Sequence, residues 1–192
     1  MKVLPAMLLA GSSVVSAAPP GSYFGLALGS SALGDIESTS KEKESGPGGR
    51  AFIGFNINRI FGIEANYNVF DKTSYLISTY PAIEVDYTLR SFSLVGKLYL
   101  PLEESNPFNV YALLGVAKFS GKATARLAYA NWQVPLGTES GFVPTAGLGV
   151  SYDFNQHVAL GFELSGFGKK DSIETIGAPA SALATLGITY RI

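Results

Sequence analysis

The sequence predicts an all-β chain folded as an eight-stranded antiparallel up-and-down transmembrane β-barrel. Three observations predict it. Apolar residues alternate at period two with small, polar or charged ones in segment after segment. Mean hydropathy is positive (+0.23) and only 15% of residues are charged, yet past the amino-terminal leader no apolar run reaches the roughly 18 residues of a membrane helix. The connections between alternating segments are long and short by turns, as in barrels whose hairpins face opposite sides of a membrane.

The final segment shows the pattern best. Ala184, Leu186, Ile188, Tyr190 and Ile192 fall on one face, and Thr185, Gly187, Thr189 and Arg191 on the other. An apolar face with an aromatic near its end, backed by a small, polar and charged face, suits a strand between lipid and a wet interior.

Residues 1–17 read as a signal peptide. Lys2 supplies the positive charge, Val3 to Ala10 the apolar stretch, and Val15-Ser16-Ala17 the small residues before a cut. Cleavage is expected after Ala17, because a cut after Ala18 would put Pro19 directly behind the scissile bond. Residues 18–192 then form the barrel domain. Pro19-Pro20-Gly21 cannot continue a helix.

The first strand is expected over Tyr23–Ser30, with Phe24, Leu26 and Leu28 on one face and Gly25, Ala27 and Gly29 on the other. Gly21, Gly25 and Gly29 also have helix-pairing spacing, but two prolines and the glycine content argue against a helix. Ser31–Gly49 reads as a polar loop. The second strand, Arg50–Ile57, directs Ala51, Ile53, Phe55 and Ile57 outward and Arg50, Phe52, Gly54 and Asn56 inward. After the tight turn Asn58-Arg59-Ile60, the third strand, Phe61–Phe70, has the cleanest alternation. Its outward face is Phe61, Ile63, Ala65, Tyr67 and Val69; Gly62, Glu64, Asn66, Asn68 and Phe70 point inward.

Asp71 to about Ala82 reads as the second long connection. The fourth strand runs to Leu100, with Phe92, Leu94, Leu98 and Leu100 outward and Ser93, Val95, Lys97 and Tyr99 inward. Upstream its parity flips: Ile83, Val85, Tyr87 and Leu89 are the apolar set. Either a bulge near Leu89–Ser91 or a strand rising above the membrane accounts for this. The fifth strand, Phe108–Lys118, is apolar on both faces, so its orientation stays open. Phe119 to about Gly141 reads as the third long loop. The sixth strand is Phe142–Asp153, with Ala146, Leu148, Val150 and Tyr152 outward; Pro144 belongs at the rim. The seventh is Val158–Phe167, with Leu160, Phe162 and Leu164 outward and Gly161, Glu163 and Ser165 inward. Gly168–Ala180 is the fourth long loop, and the terminal segment is the eighth strand. Most of these spans approach the roughly 9–11 residues that a tilted spanning strand needs.

With no cysteine, disulfides and thiolate sites are excluded. A net charge of −1 gives no global signal for nucleic acid. Gly147-Leu148-Gly149 lacks the third glycine of a dinucleotide site, and no Gly-x-Ser-x-Gly occurs. The only histidine, His157, lies in a short turn. No catalytic, metal or cofactor site is expected.

The chain resembles the OmpA-like family of small outer-membrane β-barrels. Four stretches carry the resemblance: Gly62-Ile63-Glu64-Ala65-Asn66-Tyr67, Lys97-Leu98-Tyr99-Leu100-Pro101-Leu102, Ala146-Gly147-Leu148-Gly149-Val150-Ser151-Tyr152 and Gly187-Ile188-Thr189-Tyr190-Arg191-Ile192. The family usually ends in phenylalanine, where this chain has Ile192. Many relatives carry a peptidoglycan-binding domain after the barrel; this sequence ends at the last strand, so cell-wall tethering is not carried over. The resemblance implies a Gram-negative outer-membrane location reached through the secretory pathway. It also implies an interior ion-pair network, onto which Glu64, Lys97, Glu163 and Arg191 map.

Neighbouring strands suggest the pairs Glu64–Lys97 and Glu163–Arg191. Tyr190 and Ile192 occupy the positions that the outer-membrane assembly machinery reads in this family. The third loop offers Lys122, Arg126, Tyr129 and Trp132 as contacts for lipopolysaccharide, a host surface or an environmental ligand. The expected function is a structural or adhesin-like surface role through four long loops. The alternatives are a narrow gated pore for small ions and, less favoured, a lipid-modifying enzyme.

Overall fold

The computed structural model describes residues 15–16, 19–33, 45–77, 83–103, 106–127, 133–168 and 180–192. Eight strands build the barrel: β1 Gly21–Leu33, β2 Ser45–Asn56, β3 Phe61–Val69, β4 Ile83–Tyr99, β5 Phe108–Leu127, β6 Gln133–Asp153, β7 Val158–Phe167 and β8 Ser181–Arg191. Each pairs antiparallel with its sequence neighbours, and β8 pairs with β1 from Ser181–Leu33 to Arg191–Tyr23, which closes the sheet. Closure removes the free edges that lipid cannot solvate. The described residues include no helix. Of the expected leader only Val15–Ser16 lies among the described residues, paired with Leu102–Glu103.

The outward rows are apolar and exposed: Leu26 and Leu28 on β1, Ile53 on β2, Ile63 on β3, Leu94 and Leu98 on β4, Leu148 on β6, Leu164 on β7 and Ile188 on β8. Aromatic rings gather at the end that holds the short turns. Phe24 and Tyr190 lie 5.7 Å apart, and Tyr152 lies 5.0 Å from Phe108 and 5.2 Å from Phe154. Such rings suit the membrane–water boundary.

The fifth strand's orientation is settled by the fold. Tyr111, Leu113, Ala117 and Phe119 are buried in the lumen, while Leu114 and Val116 face out. The parity flip is also resolved. β4 pairs with β5 in one unbroken register from Ile83–Leu127 to Tyr99–Tyr111, so β4 carries no bulge against that neighbour. The irregularity sits on its other side. Val69 pairs with Arg90 and Thr73 with Tyr87, four residues against three, so the extra residue lies among Phe70, Asp71 and Lys72. A short strand, Thr73–Ile77, then continues along β4 where a loop is expected.

Two further expectations are corrected. Most of the third long loop is strand: β5 runs 20 residues to Leu127 and β6 begins at Gln133 and runs 21. Its alternation, with Lys118, Ser120, Lys122, Thr124 and Arg126 on one parity, is a strand signal hidden by its charge. Nor is the lumen wet throughout. At the long-connection end Phe70, Leu89, Ala117, Phe119, Val143, Phe167 and Leu183 form a buried apolar cluster. The rings of Phe70, Phe119 and Phe167 lie 5.3–5.6 Å apart. Leu89 begins the flipped parity because the interior there is dry.

Pro144 is exposed and lies within β6 rather than at its end. Its carbonyl accepts from Gly168 N, just past the end of β7, so its missing donor also faces a strand that has stopped.

Candidate functional site

The middle of the lumen holds four buried charges. They come from β2 (Arg50), β3 (Glu64), β4 (Lys97) and β7 (Glu163), each on an inward row and each less than 10% exposed. Lys97 Nζ lies 2.9 Å from Glu64 Oε2, which also accepts from the Tyr23 hydroxyl at 3.0 Å. Arg50 reaches the other Glu64 oxygen at 3.4 Å and forms a close ion pair with Glu163. Glu163 accepts further from Tyr111 OH at 3.2 Å and Ser165 Oγ at 2.7 Å. Two cations and two carboxylates thus make a neutral quartet. Neutrality and multiple hydrogen bonds are what allow charges to sit in a poorly hydrated space.

Aromatic faces complete the shell. Lys97 Nζ is 4.1 Å from the centre of the Tyr111 ring and 5.2 Å from that of Tyr23, and the Arg50 guanidinium lies 4.6 Å from Phe52. A backbone of small residues makes room for Arg50. In the pairing register Arg50 stands beside Ala27, Ala27 beside Gly187 and Gly187 beside Gly161. The row from β2 round to β7 therefore projects little into the lumen, and the guanidinium crosses it to Glu163. Gly149 does the same for Tyr111, whose ring occupies the space a side chain at 149 would fill.

Sequence parity placed the four expected charges on inward rows, and the structure brings three of them together: Glu64, Lys97 and Glu163. Arg191 is elsewhere. It does not meet Glu163 but pairs with Asp153 at 2.7 Å, near the short-turn end. The reason is register. Glu163 pairs with Thr185, and Arg191 lies six residues further along β8, about 20 Å of strand. The cation that meets Glu163 is Arg50, which shares the inward parity but stood outside the expected set. Asp153 carries the same signal, following Gly149 and Ser151 on the inward row of β6. Asn109 supports it with a hydrogen bond of 3.1 Å.

The remaining lumen is small. A cavity of about 30 Å³ lies among Tyr23, Arg50, Lys97, Tyr111 and Glu163, and one of about 10 Å³ among Asn66, Asn68, Ser93, Thr145 and Ser165. Each has room for no more than about one or two waters. Asn66 Oδ1 and Asn68 Oδ1, which lack a protein partner, belong to residues lining the smaller one. An open vestibule of about 560 Å³ lies at the short-turn end, lined by Pro19, Asp153, His157 and Arg191 among others.

Of the expected loop contacts, Lys122 is exposed on β5 and Arg126 lies on the same strand, opposite Glu84. Tyr129 and Trp132 lie outside the described residues. Tyr190 is exposed on β8 and Ile192 is exposed just past its end; Ile192 N donates to Ser22 O at 3.0 Å. His157 is exposed in a short turn, its ring stacked 6.0 Å from Tyr190 and its Nδ1 3.2 Å from Arg191 O. Among the described residues no group of acidic or histidine side chains has metal-site geometry.

Comparison with solved structures finds small barrels. Neisserial surface protein A aligns with a TM-score of 0.58 at 18% identity, covering 90% of this chain and 97% of its own. Ail, the attachment invasion locus protein of Yersinia pestis, aligns at 0.56 and 12%, covering 91% and 99%. It also aligns, at 0.54 and 14%, as its complex with the heparin analogue sucrose octasulfate, covering 90% and 99%. The amino-terminal barrel of Pseudomonas aeruginosa OprF aligns at 0.55 and 13%, covering 90% and 98%. At such identities the likeness is one of fold. No curated protein matches the sequence significantly. The family match is by sequence: the outer membrane protein beta-barrel domain covers residues 3–190. The chain therefore belongs to the family of outer membrane protein β-barrel domains.

Proposed function

We propose that this barrel is a plugged structural element of the outer membrane that acts at the cell surface through its long-connection end. The observation that carries the reading is a contrast between lumen and rim. The lumen is closed by a neutral, hydrogen-bonded quartet below an apolar cluster. β5 and β6 meanwhile run about ten residues beyond what a spanning strand needs. At about 3.3 Å per residue, that surplus is roughly 30 Å of ribbon. Long connections in such barrels face the exterior, and loops on a rigid scaffold carry specificity.

Arg126, next to the end of β5, and Tyr129 and Trp132, which follow β5 in the sequence, are the contacts proposed for a host or environmental ligand. Polysulfated sugar is the first ligand class to try, given the complex of Ail with a heparin analogue. Tyr190 and Ile192 are proposed as the insertion signal, and residues 1–17 as the cleaved leader. No enzymatic role is proposed.

The test is binding of intact cells to immobilised sulfated polysaccharide and to host-cell surfaces. Deletion of residues 125–134 is expected to abolish binding while leaving a folded barrel. Unchanged binding would overturn the surface reading. A gated pore is the second reading, supported by the two water-sized cavities that Glu163 lines. Sustained single-channel conductance of the unmodified protein in planar bilayers would favour it over the plug.

A further inference from the structure

One charge pattern on the outward face is not used by the fold. On β4 the outward row runs Leu98, Leu94, Phe92 and then Arg90; on β5 it runs Leu114, Val116 and then Lys118 and Lys122. All of these residues are exposed. The register sets Phe92 opposite Lys118, Arg90 opposite Ser120 and Thr88 opposite Lys122. Arg90 is thus one diagonal step from each lysine on the same face, a spacing of about 7–8 Å. Three cations meet where the apolar belt ends.

Arg90 and Lys118 have no acidic residue at a directly opposite or diagonal position on this face. The other cross-strand neighbours are Val69 for Arg90, Phe142 for Lys118 and Thr138 for Lys122, all uncharged. Lys118 Nζ lies 5.9 Å from the centre of the exposed Phe142 ring at the edge of the belt. No ion pair joins any of the three to a carboxylate among the described residues. By register the nearest acidic position on this parity is Asp86, opposite Thr124; it is one diagonal step from Lys122, on the side away from Arg90, Lys118 and the lipid rows.

We infer that Arg90, Lys118 and Lys122 seat the phosphate of an outer-leaflet lipid, the phosphorylated sugar headgroup of lipopolysaccharide. Like charges on adjacent diagonals repel, and an anion held among them relieves this. The belt beneath, Phe92, Val116 and Phe142, offers the acyl chains an apolar wall directly below the cations. Arginine and lysine reach a headgroup phosphate from this height while their stems stay on apolar surface. The inference rests on the proposed outward direction of the long-connection end.

The experiment uses the full barrel in phosphatidylcholine nanodiscs doped with diphosphoryl lipid A, dephosphorylated lipid A or phosphatidylglycerol. Retained lipid is counted by native mass spectrometry after extraction. The unmodified barrel is expected to retain diphosphoryl lipid A, and R90S/K118S/K122S to retain about tenfold less. R90K/K118R/K122R is expected to match the unmodified protein. The gel shift on boiling verifies that each variant is folded. Equal retention by the serine variant would overturn the site. Equal retention of dephosphorylated lipid A would overturn the phosphate as its ligand. Preference for phosphatidylglycerol would overturn the outer-leaflet assignment. Deletion of residues 125–134 is expected to leave retention unchanged, so failure of the surface-ligand reading and failure of this one are distinguishable.

Discussion

Replacing Arg50 by methionine is expected to be among the most damaging single changes in the lumen. Arg50 is 7% exposed and is the only cation that touches both Glu64 and Glu163 among the described residues. Without it two carboxylates share one ammonium. Glu64 keeps Lys97 at 2.9 Å, whereas Glu163 keeps only the hydroxyls of Tyr111 and Ser165. Neutral donors contribute about 1 kcal/mol each, too little to offset an uncompensated buried charge. The expected loss is therefore about 3–5 kcal/mol. Adding Glu163→Gln removes the stranded charge and leaves Glu64 with Lys97, so the double variant is expected to recover roughly half of that loss. Arg191→Met provides the contrast. Its partner Asp153 has a side chain 22% exposed beside the open vestibule, where water replaces the lost cation, and the cost is expected near 1 kcal/mol. Urea unfolding from liposomes, with the folded fraction read from the unboiled gel band, measures these three variants, the Glu163→Gln single variant that completes the cycle, and the unmodified protein. A coupling energy below about 0.5 kcal/mol between Arg50 and Glu163, or an Arg191→Met loss equal to that of Arg50→Met, would refute the quartet as a cooperative unit.

Other outcomes follow from the same geometry. The folded protein is expected to change mobility on boiling; recovery from the soluble periplasm without such a shift would contradict the fold's location. Deleting Tyr190–Ile192 removes the ring beside Phe24 and the bond from Ile192 to Ser22, and is expected to leave the chain degraded or in the periplasm, checked by fractionation. Leu164→Arg, on the lipid face, is expected to cost about 2–4 kcal/mol, while Ser120→Arg above the belt costs little; equal losses would misplace the belt. Ser165→Arg is not the mild control that a wet interior implies, because Ser165 bonds Glu163 beside a cavity of only about 10 Å³. Gly149→Val is expected to displace the Tyr111 ring from Lys97 and Glu163 and lower the urea midpoint, with Gly96→Val, whose nearest contact is 3.8 Å away, as the tolerated comparison.

Much of this barrel is written locally in the chain. Alternation assigns a face to every residue of a strand without reference to any other strand. That is why Leu26, Ile63, Leu98, Leu164 and Ile188 were legible as lipid-facing, and Glu64, Lys97 and Glu163 as interior. The short turn at Asn58 and the carboxyl-terminal strand were legible for the same reason. What alternation cannot supply is height. Which inward residues share a level depends on the stagger accumulated around eight paired strands. That stagger, not sequence proximity, puts Arg50 against Glu163 and sends Arg191 to Asp153. It also decides where lipid ends. Leu89 and Phe119 read as parts of a flipped strand and a loop because the lumen turns dry where the outer face, at Arg90 and Lys118, turns polar. Only the closed barrel, with Phe70, Phe119 and Phe167 packed across its mouth, makes both facts consequences of one boundary.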